Sequence, residues 1–378
     1  MKALTIAVMS LLATSVETCS AGTASDILGF YEWGGQYPAS ASEGIQKIVG
    51  LGARKARVAL TPRNDIDYHQ GTACSPLGSL ATLAQQPDLK AALDNPNIDV
   101  VMFTAYDFTT FGDCETQRYL QPGFYTPDNI AALVQEYSDL TLYLYQAYAH
   151  TYKRFIVSNW EGDNSVYCGK AYDYATDASF RAYCDGNYAE LYYGNASPAD
   201  SLEALKLWLR YRQQGIADGR ARAAQLGFGG MRVYFAPEFS ITRALHDGGF
   251  KSVLYDILPY VPFDYISYSA YESINAAQPG DTLTADLNTI RDETGSTAII
   301  VGEMGFSRSA WGADAVNRTN DVLAAASAWG VAYVFVWNLY DSSSTQDFGV
   351  YGTDGMPTTL AGYYQGVLQG TAAAPKSN

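Results

Sequence analysis

Ala298-Ile-Ile-Val-Gly-Glu-Met-Gly305 is an apolar, β-branched run that ends on a carboxylate. It does not alternate apolar with polar, so a strand here must be buried on both faces, as in a parallel sheet covered by helices. Seven more runs share the pattern: Ile27–Trp33, Lys55–Leu60, Asp99–Ala105, Arg154–Asn159, Met231–Ala236, Tyr265–Ser269 and Val331–Trp337. With Ala298–Gly302 they make eight predicted strands, each followed by a polar or Gly-rich segment and then a helical stretch.

The helical stretches carry their own punctuation. Ser42 to Gly52 has apolar residues at helical spacing and a terminal glycine. Ser197-Pro198 opens a helix that runs to about Gly227, with Pro198 suited to the first turn. Thr284–Thr294 stops at Gly295, and Ala313–Trp329 stops at Gly330. Eight strand–helix units predict an α/β chain folded as a single-domain (β/α)₈ TIM barrel. A doubly wound open sheet would bring a phosphate-binding glycine loop after its first strand, and Glu32-Trp-Gly-Gly-Gln36 is not one. The longest interruption follows the fourth strand, a predicted long loop over 162–196 that is rich in Tyr and contains Cys168 and Cys184.

The composition narrows the partners. The 378 residues carry a formal charge of −15, which repels phosphodiester backbones and argues against nucleic acid. They also hold 30 Tyr, 6 Trp and 15 Phe, a supply of flat apolar faces that suits neutral ligands such as sugars. Residues 1–24 have the form of an export signal, with Lys2 ahead of an apolar run from Ala3 to Val16 that is too short to span a bilayer. Residues 25–370 then form the barrel domain, and 371–378 a loose tail. The expected product is a secreted monomer, extracellular or periplasmic, that stays off the membrane once the signal is removed. Cys74, Cys114, Cys168 and Cys184 remain, enough for two disulfides in an exported chain. Three pairings exist; Cys74–Cys114 and Cys168–Cys184 are favoured because each pair lies in strand-following loops.

Reactive groups of a barrel stand at the C-terminal ends of its strands. Those ends offer Glu32, Arg57, Arg63, Asp107, Glu161, Asp163, Glu238, Tyr271, Glu272, Glu303, Trp337 and Asp341. The three histidines, His69, His150 and His246, lie elsewhere, which argues against Ser/His chemistry and His-ligated zinc. Neither a cofactor nor a metal is expected. Carboxylates alone suffice to hydrolyse a glycosidic bond.

Ile156-Val-Ser-Asn-Trp-Glu161 and Ile300-Val-Gly-Glu303-Met-Gly resemble the ends of strands four and seven in clan A of the glycoside hydrolases. The resemblance implies a retaining enzyme with Glu161 as acid/base and Glu303 as nucleophile. It places Arg57 beneath the nucleophile, Tyr271 or Tyr268 as the tyrosine touching it, and Trp337 as the floor of the cleaved sugar's site. It also brings Asn159 and Trp160 to the substrate. In the clan an asparagine directly precedes the acid/base and binds the sugar 2-hydroxyl; here that position is Trp160, with Asn159 one place earlier and Asn164 on the following loop. The substrate implied is a poly- or oligosaccharide, a β-glycan. Two rival readings stay open: an inverting hydrolase or transglycosylase using Asp163 or Glu272, and a non-catalytic carbohydrate-binding barrel.

Overall fold

The computed structural model describes residues 23–371 except 34–36, 38, 70, 72, 193, 195–196, 231 and 344–345. The expected signal segment, but for its last two residues, and nearly all of the tail lie outside the described residues. Among the described residues, nine parallel strands form one sheet: β1 Leu28–Glu32, β2 Lys55–Leu60, β3 Val100–Ala105, β4 Arg154–Ser158, β5 Val233–Ala236, β6 Glu238–Phe239, β7 Ile266–Ser269, β8 Ile299–Met304 and β9 Tyr333–Val336. Their order is β5-β4-β3-β2-β1-β9-β8-β7-β6.

The apparent ninth strand comes from Pro237. Proline has no N–H for the ladder and interrupts a strand at that point. β5 pairs with β4 and β6 pairs with β7, so the two are halves of the fifth barrel strand. Hydrogen bonds bridge the break: Tyr265 N donates to Phe235 O at 3.1 Å and Ser267 N to Pro237 O at 3.0 Å. The barrel therefore closes with eight strand positions, as expected, and β8 and β9 are its seventh and eighth. The fifth strand begins later than the sequence implied, at Val233, and Met231 lies outside the described residues.

Val100, Met102, Ile156, Ala236, Ile300 and Phe335 form a cluster of their own, distinct from the larger core, and fill the barrel. The opposite faces of the strands join the helices in that larger core, which explains the unbroken apolar runs. Helices Ala41–Leu51, Pro279–Thr294 and Asp314–Trp329 end on Gly52, Gly295 and Gly330 at φ 99°, 70° and 92°, a left-handed cap that glycine takes without strain. Two of the starts differ from expectation. Ser40 rather than Ser42 caps the first of these helices, and Pro279 opens the second a turn before Thr284.

Segment 162–196 is not the expected loop. It folds into helices Gly162–Val166, Ala171–Thr176 and Ala178–Leu191, the last capped by Asp177 through Ser179 N and Phe180 N. Disulfides join Cys74 to Cys114 and Cys168 to Cys184. Among the described residues no helix is long and apolar enough to cross a membrane.

Candidate active site

Most strand-end carboxylates are already engaged by the protein. Asp107 accepts from Thr110 N at 2.7 Å and Trp208 Nε1 at 2.8 Å. Asp163 is fully buried and accepts from Ser240 N, Ile241 N and Val253 N. Glu272 accepts from the main-chain amides of Thr242, Arg243 and Ala244 and from the Thr242 hydroxyl. Asp341 takes both terminal nitrogens of Arg308, at 3.2 and 2.6 Å. Glu32 is turned under the helix Ala41–Leu51, where a Cβ on Gly44 would come within 2.1 Å of its Cγ. That leaves Glu238, which Arg57 holds through two bonds, and the pair Glu161 and Glu303. Both line the same cleft of about 1320 Å³.

Below them lies one cation with several claims on it. Arg57 is fully buried and donates to Glu238 through both Nη atoms, at 2.7 and 3.0 Å. Its contact with Glu303 is a single ion pair, Nη1 to Oε1 at 3.4 Å. Nε donates to Thr104 Oγ1, and the remaining bonds hold the carbonyls of Gly302 and Asn159. Glu238 also accepts from Ser267 Oγ at 2.6 Å and from the main-chain N–H of Glu161 at 3.2 Å. Arg57 contacts Glu303 once, and its bidentate partner is Glu238. Gly302 makes this crowding feasible: a Cβ there would meet Ser267 Oγ at 2.1 Å and Glu238 Oε2 at 2.2 Å.

Burial dominates the electrostatics of the pair. It pushes the Glu161 carboxyl up to about 7, the Glu238 charge adding to the effect while Asn164, Ser269 and Arg57 pull the other way. Burial likewise raises Glu303 well above the usual carboxylate range; Arg57 opposes this, and Glu238 and Glu161 reinforce it. Arg57 contacts Glu303, and among the described residues no cation forms an ion pair with Glu161, so the guanidinium favours a charge on Glu303 over one on Glu161.

The other expected site residues divide. Tyr271 is half-buried and lines the cleft, and its phenol is held protonated by burial and by the Glu303 and Glu161 charges. Trp337 is half-buried in the cleft wall, stacked on Trp33 at 5.4 Å and edge-on to Tyr31 at 4.9 Å. Trp160 is 37% exposed at the cleft edge. Tyr268 is elsewhere: fully buried, it stacks on Phe239, and its hydroxyl meets Ser273 and Asp286. Asn159 is also withdrawn, since its amide accepts from Glu238 N and donates to Glu238 O, both at 3.0 Å. That exchange clamps the fourth barrel strand to the fifth just below Glu161.

Three residues outside the expected catalytic and substrate-binding set matter here. Asn164 Nδ2 donates to Glu161 Oε2, while its Oδ1 accepts from Ala171 N and fixes the amide. Tyr31 lays its ring against Arg57 with 4.4 Å from Cζ to centroid, and Glu238 completes the network. Glu238 was visible as a strand-end carboxylate, but its pairing with Arg57 spans 181 positions of sequence.

No family model matches the chain, and no curated protein matches it by sequence. Solved structures do match. A rice beta-glucosidase aligns with a TM-score of 0.55 at 12% identity, over 86% of this chain and 87% of its own. A beta-glycosidase gives 0.56 at 11% identity, over 95% and 100%. The AHE enzyme of Alicyclobacillus herbarius gives 0.59 at 10% identity, over 93% and 98%. At these identities the likeness is one of fold. Across most of its length the chain shares the barrel fold of these structures.

Proposed function

We propose that the protein is a retaining glycoside hydrolase that cleaves O-glycosidic bonds of an extracellular β-glycan by double displacement. One observation carries this reading: among the described strand-end carboxylates, Glu161 and Glu303 are the two left facing the cleft without a structural task. The attacking group is ionised Glu303, whose carboxylate bonds to the anomeric carbon as the leaving oxygen takes a proton from Glu161. Glu161, now a base, removes a proton from water, which attacks the same carbon and frees Glu303. Asp163 and Glu272, the partners an inverting variant would need, each hold several main-chain amides. The two disulfides suit an oxidising compartment, so the enzyme acts outside the cytoplasm.

The test is a panel of β-glycans and aryl β-glycosides, with the product anomer followed by NMR. Hydrolysis with retained configuration is expected. An inverted product would move the assignment to another carboxylate, and inactivity on every substrate would favour a non-catalytic sugar-binding barrel.

Trp337 is the expected floor for the sugar. Trp337→Ala should lower kcat/KM by about 10- to 100-fold, the loss of one apolar platform. Its melting temperature should stay near native. Were Trp337 core packing instead, the cavity would cost about 3–5 kcal/mol and the melt would fall sharply. Kinetics and thermal melts on the same sample separate these.

Glu238→Gln should change pH dependence more than it changes fold. The Glu238 charge helps to raise Glu161, so its removal lowers the acid's pKa, and it frees Arg57 to pair with Glu303. The alkaline limb of the kcat/KM profile should move down by on the order of one pH unit. An unmoved limb would show that Glu238 is scaffold alone.

A further inference from the structure

The cleft does not stop at Trp160. A second basin of about 540 Å³ lies beside the first, and Tyr31, Trp33, Trp160, Asn164 and Gly169 line both. Its far wall comes from the second and third barrel strands and their loops, with Tyr106, Phe111 and Tyr119 presenting aromatic rings. The disulfide-tied insertion overhangs both basins. Tyr172, 51% exposed, lines the larger, and Tyr183, 57% exposed, lines the smaller. Exposed aromatics that no core requires are suited to stacking on sugar rings.

The cations in this groove each have an acidic partner. Lys170 lies 3.5 Å from Asp173, Arg243 lies 2.6 Å from Asp286, and Arg63 lies 3.6 Å from Asp67. No cation among the described lining residues is left over for a uronate or a sulfate, and the chain as a whole is strongly acidic.

Building on the hydrolase reading above, we infer that the substrate is a linear, uncharged glycan lying in both basins at once, cut internally, with Tyr172 and Tyr183 as sugar platforms in opposite basins. Trp160 then serves as the ridge over which the glycan passes. Trp160 stands where the clan pattern has an asparagine, so the departure from that pattern becomes a specificity feature.

Calorimetry on Glu161→Gln tests this with β-1,4-linked gluco-, manno- and xylo-oligosaccharides of two to six units. In the series that binds, affinity should rise about tenfold or more between two and six units. Adding Tyr172→Ala or Tyr183→Ala should weaken the six-unit ligand by about five- to tenfold and the two-unit ligand by less than about twofold. Both tyrosines are exposed, so each variant should retain the native melt. Affinity that is flat beyond two units, binding by no series, or long ligands indifferent to both substitutions would overturn the inference. Wild-type digests separate it from the reading beneath it. Length-dependent binding with no hydrolysis sinks the hydrolase and leaves the groove. Hydrolysis that releases only monosaccharide from the start, or that favours a polyuronate, sinks the groove and leaves the hydrolase.

Discussion

Glu303→Gln should lose turnover by ~100,000-fold or more, the scale seen when a nucleophile is removed from a working site. The amide has the same shape but cannot donate an electron pair to the anomeric carbon as a carboxylate does. Little else should change. Glu303 makes one ion pair, to Arg57 at 3.4 Å, and Oε1 has no hydrogen-bond partner. Arg57 keeps its two bonds to Glu238, so the network under the cleft survives. The melting temperature should hold or rise, because a buried carboxyl that resists ionisation is being replaced by a neutral group. Glu303→Ala offers a second arm, with azide and an aryl glycoside carrying a good leaving group. Azide entering from the vacated side should give a glycosyl azide of inverted configuration. Residual activity above about 1% in Glu303→Gln, confirmed free of wild type, would remove Glu303 from the nucleophile's role.

How much of this was legible in sequence follows from which interactions are local. Strands buried on both faces leave unbroken apolar runs, and glycine caps punctuate the helices; both signals lie within a dozen residues. Strand count and the ring of strand-end residues were therefore readable. Pro237 was not used. The run before it ended cleanly at Ala236, and that a two-residue strand resumes beyond is visible only through pairing with β7. Tyr and Cys mask the helical period of segment 162–196 in sequence, although Asp177 ahead of Ala178-Ser179 is a cap signal.

Side-chain direction was the harder problem. Tyr268 and Tyr271 are three residues apart at a strand end, and the sequence does not say which turns toward the cleft. The strand pleat sends Tyr268 outward to Ser273 and Asp286, and the chain turns back at Ala270 to bring Tyr271 in. Asn159 shows the same limit: a polar residue two before Glu161 resembles a ligand contact, yet both of its amide atoms hold the main chain of Glu238. Glu272 and Asp163 could not be told from catalysts, since the amides they hold lie from 28 to 90 positions away. The strongest partner of Arg57 is not legible either, for a guanidinium chooses the carboxylate that presents two oxygens in its plane, and Glu238 lies 181 positions away.

Glu161→Gln should separate the two halves of the reaction. With a sugar leaving group, turnover should fall by about 100- to 10,000-fold, because no proton reaches the departing oxygen. With an aryl glycoside whose phenol leaves unaided, the first step should be nearly normal while the second lacks its base. A covalent glycosyl-enzyme then accumulates, visible as a burst of phenol and as added mass on the protein. The wild-type kcat/KM should decline as pH rises through about 7, where Glu161 loses its proton, and Glu161→Gln should lack that limb on the aryl substrate. Stability supplies a further check. The folded carboxyl holds its proton up to about 7 and the unfolded one only up to its ordinary value of 4.5, so between these values the folded state binds more protons. Stability therefore falls with rising pH across that window and stays lower above it. Replacing Glu161 by Gln removes this penalty, by up to about 3 kcal/mol above neutral pH, and the variant should melt higher than wild type at pH 8 but not at pH 4. A variant equally slow on both substrate classes, with the limb unmoved, would assign the proton to another group and reduce Glu161 to part of the wall.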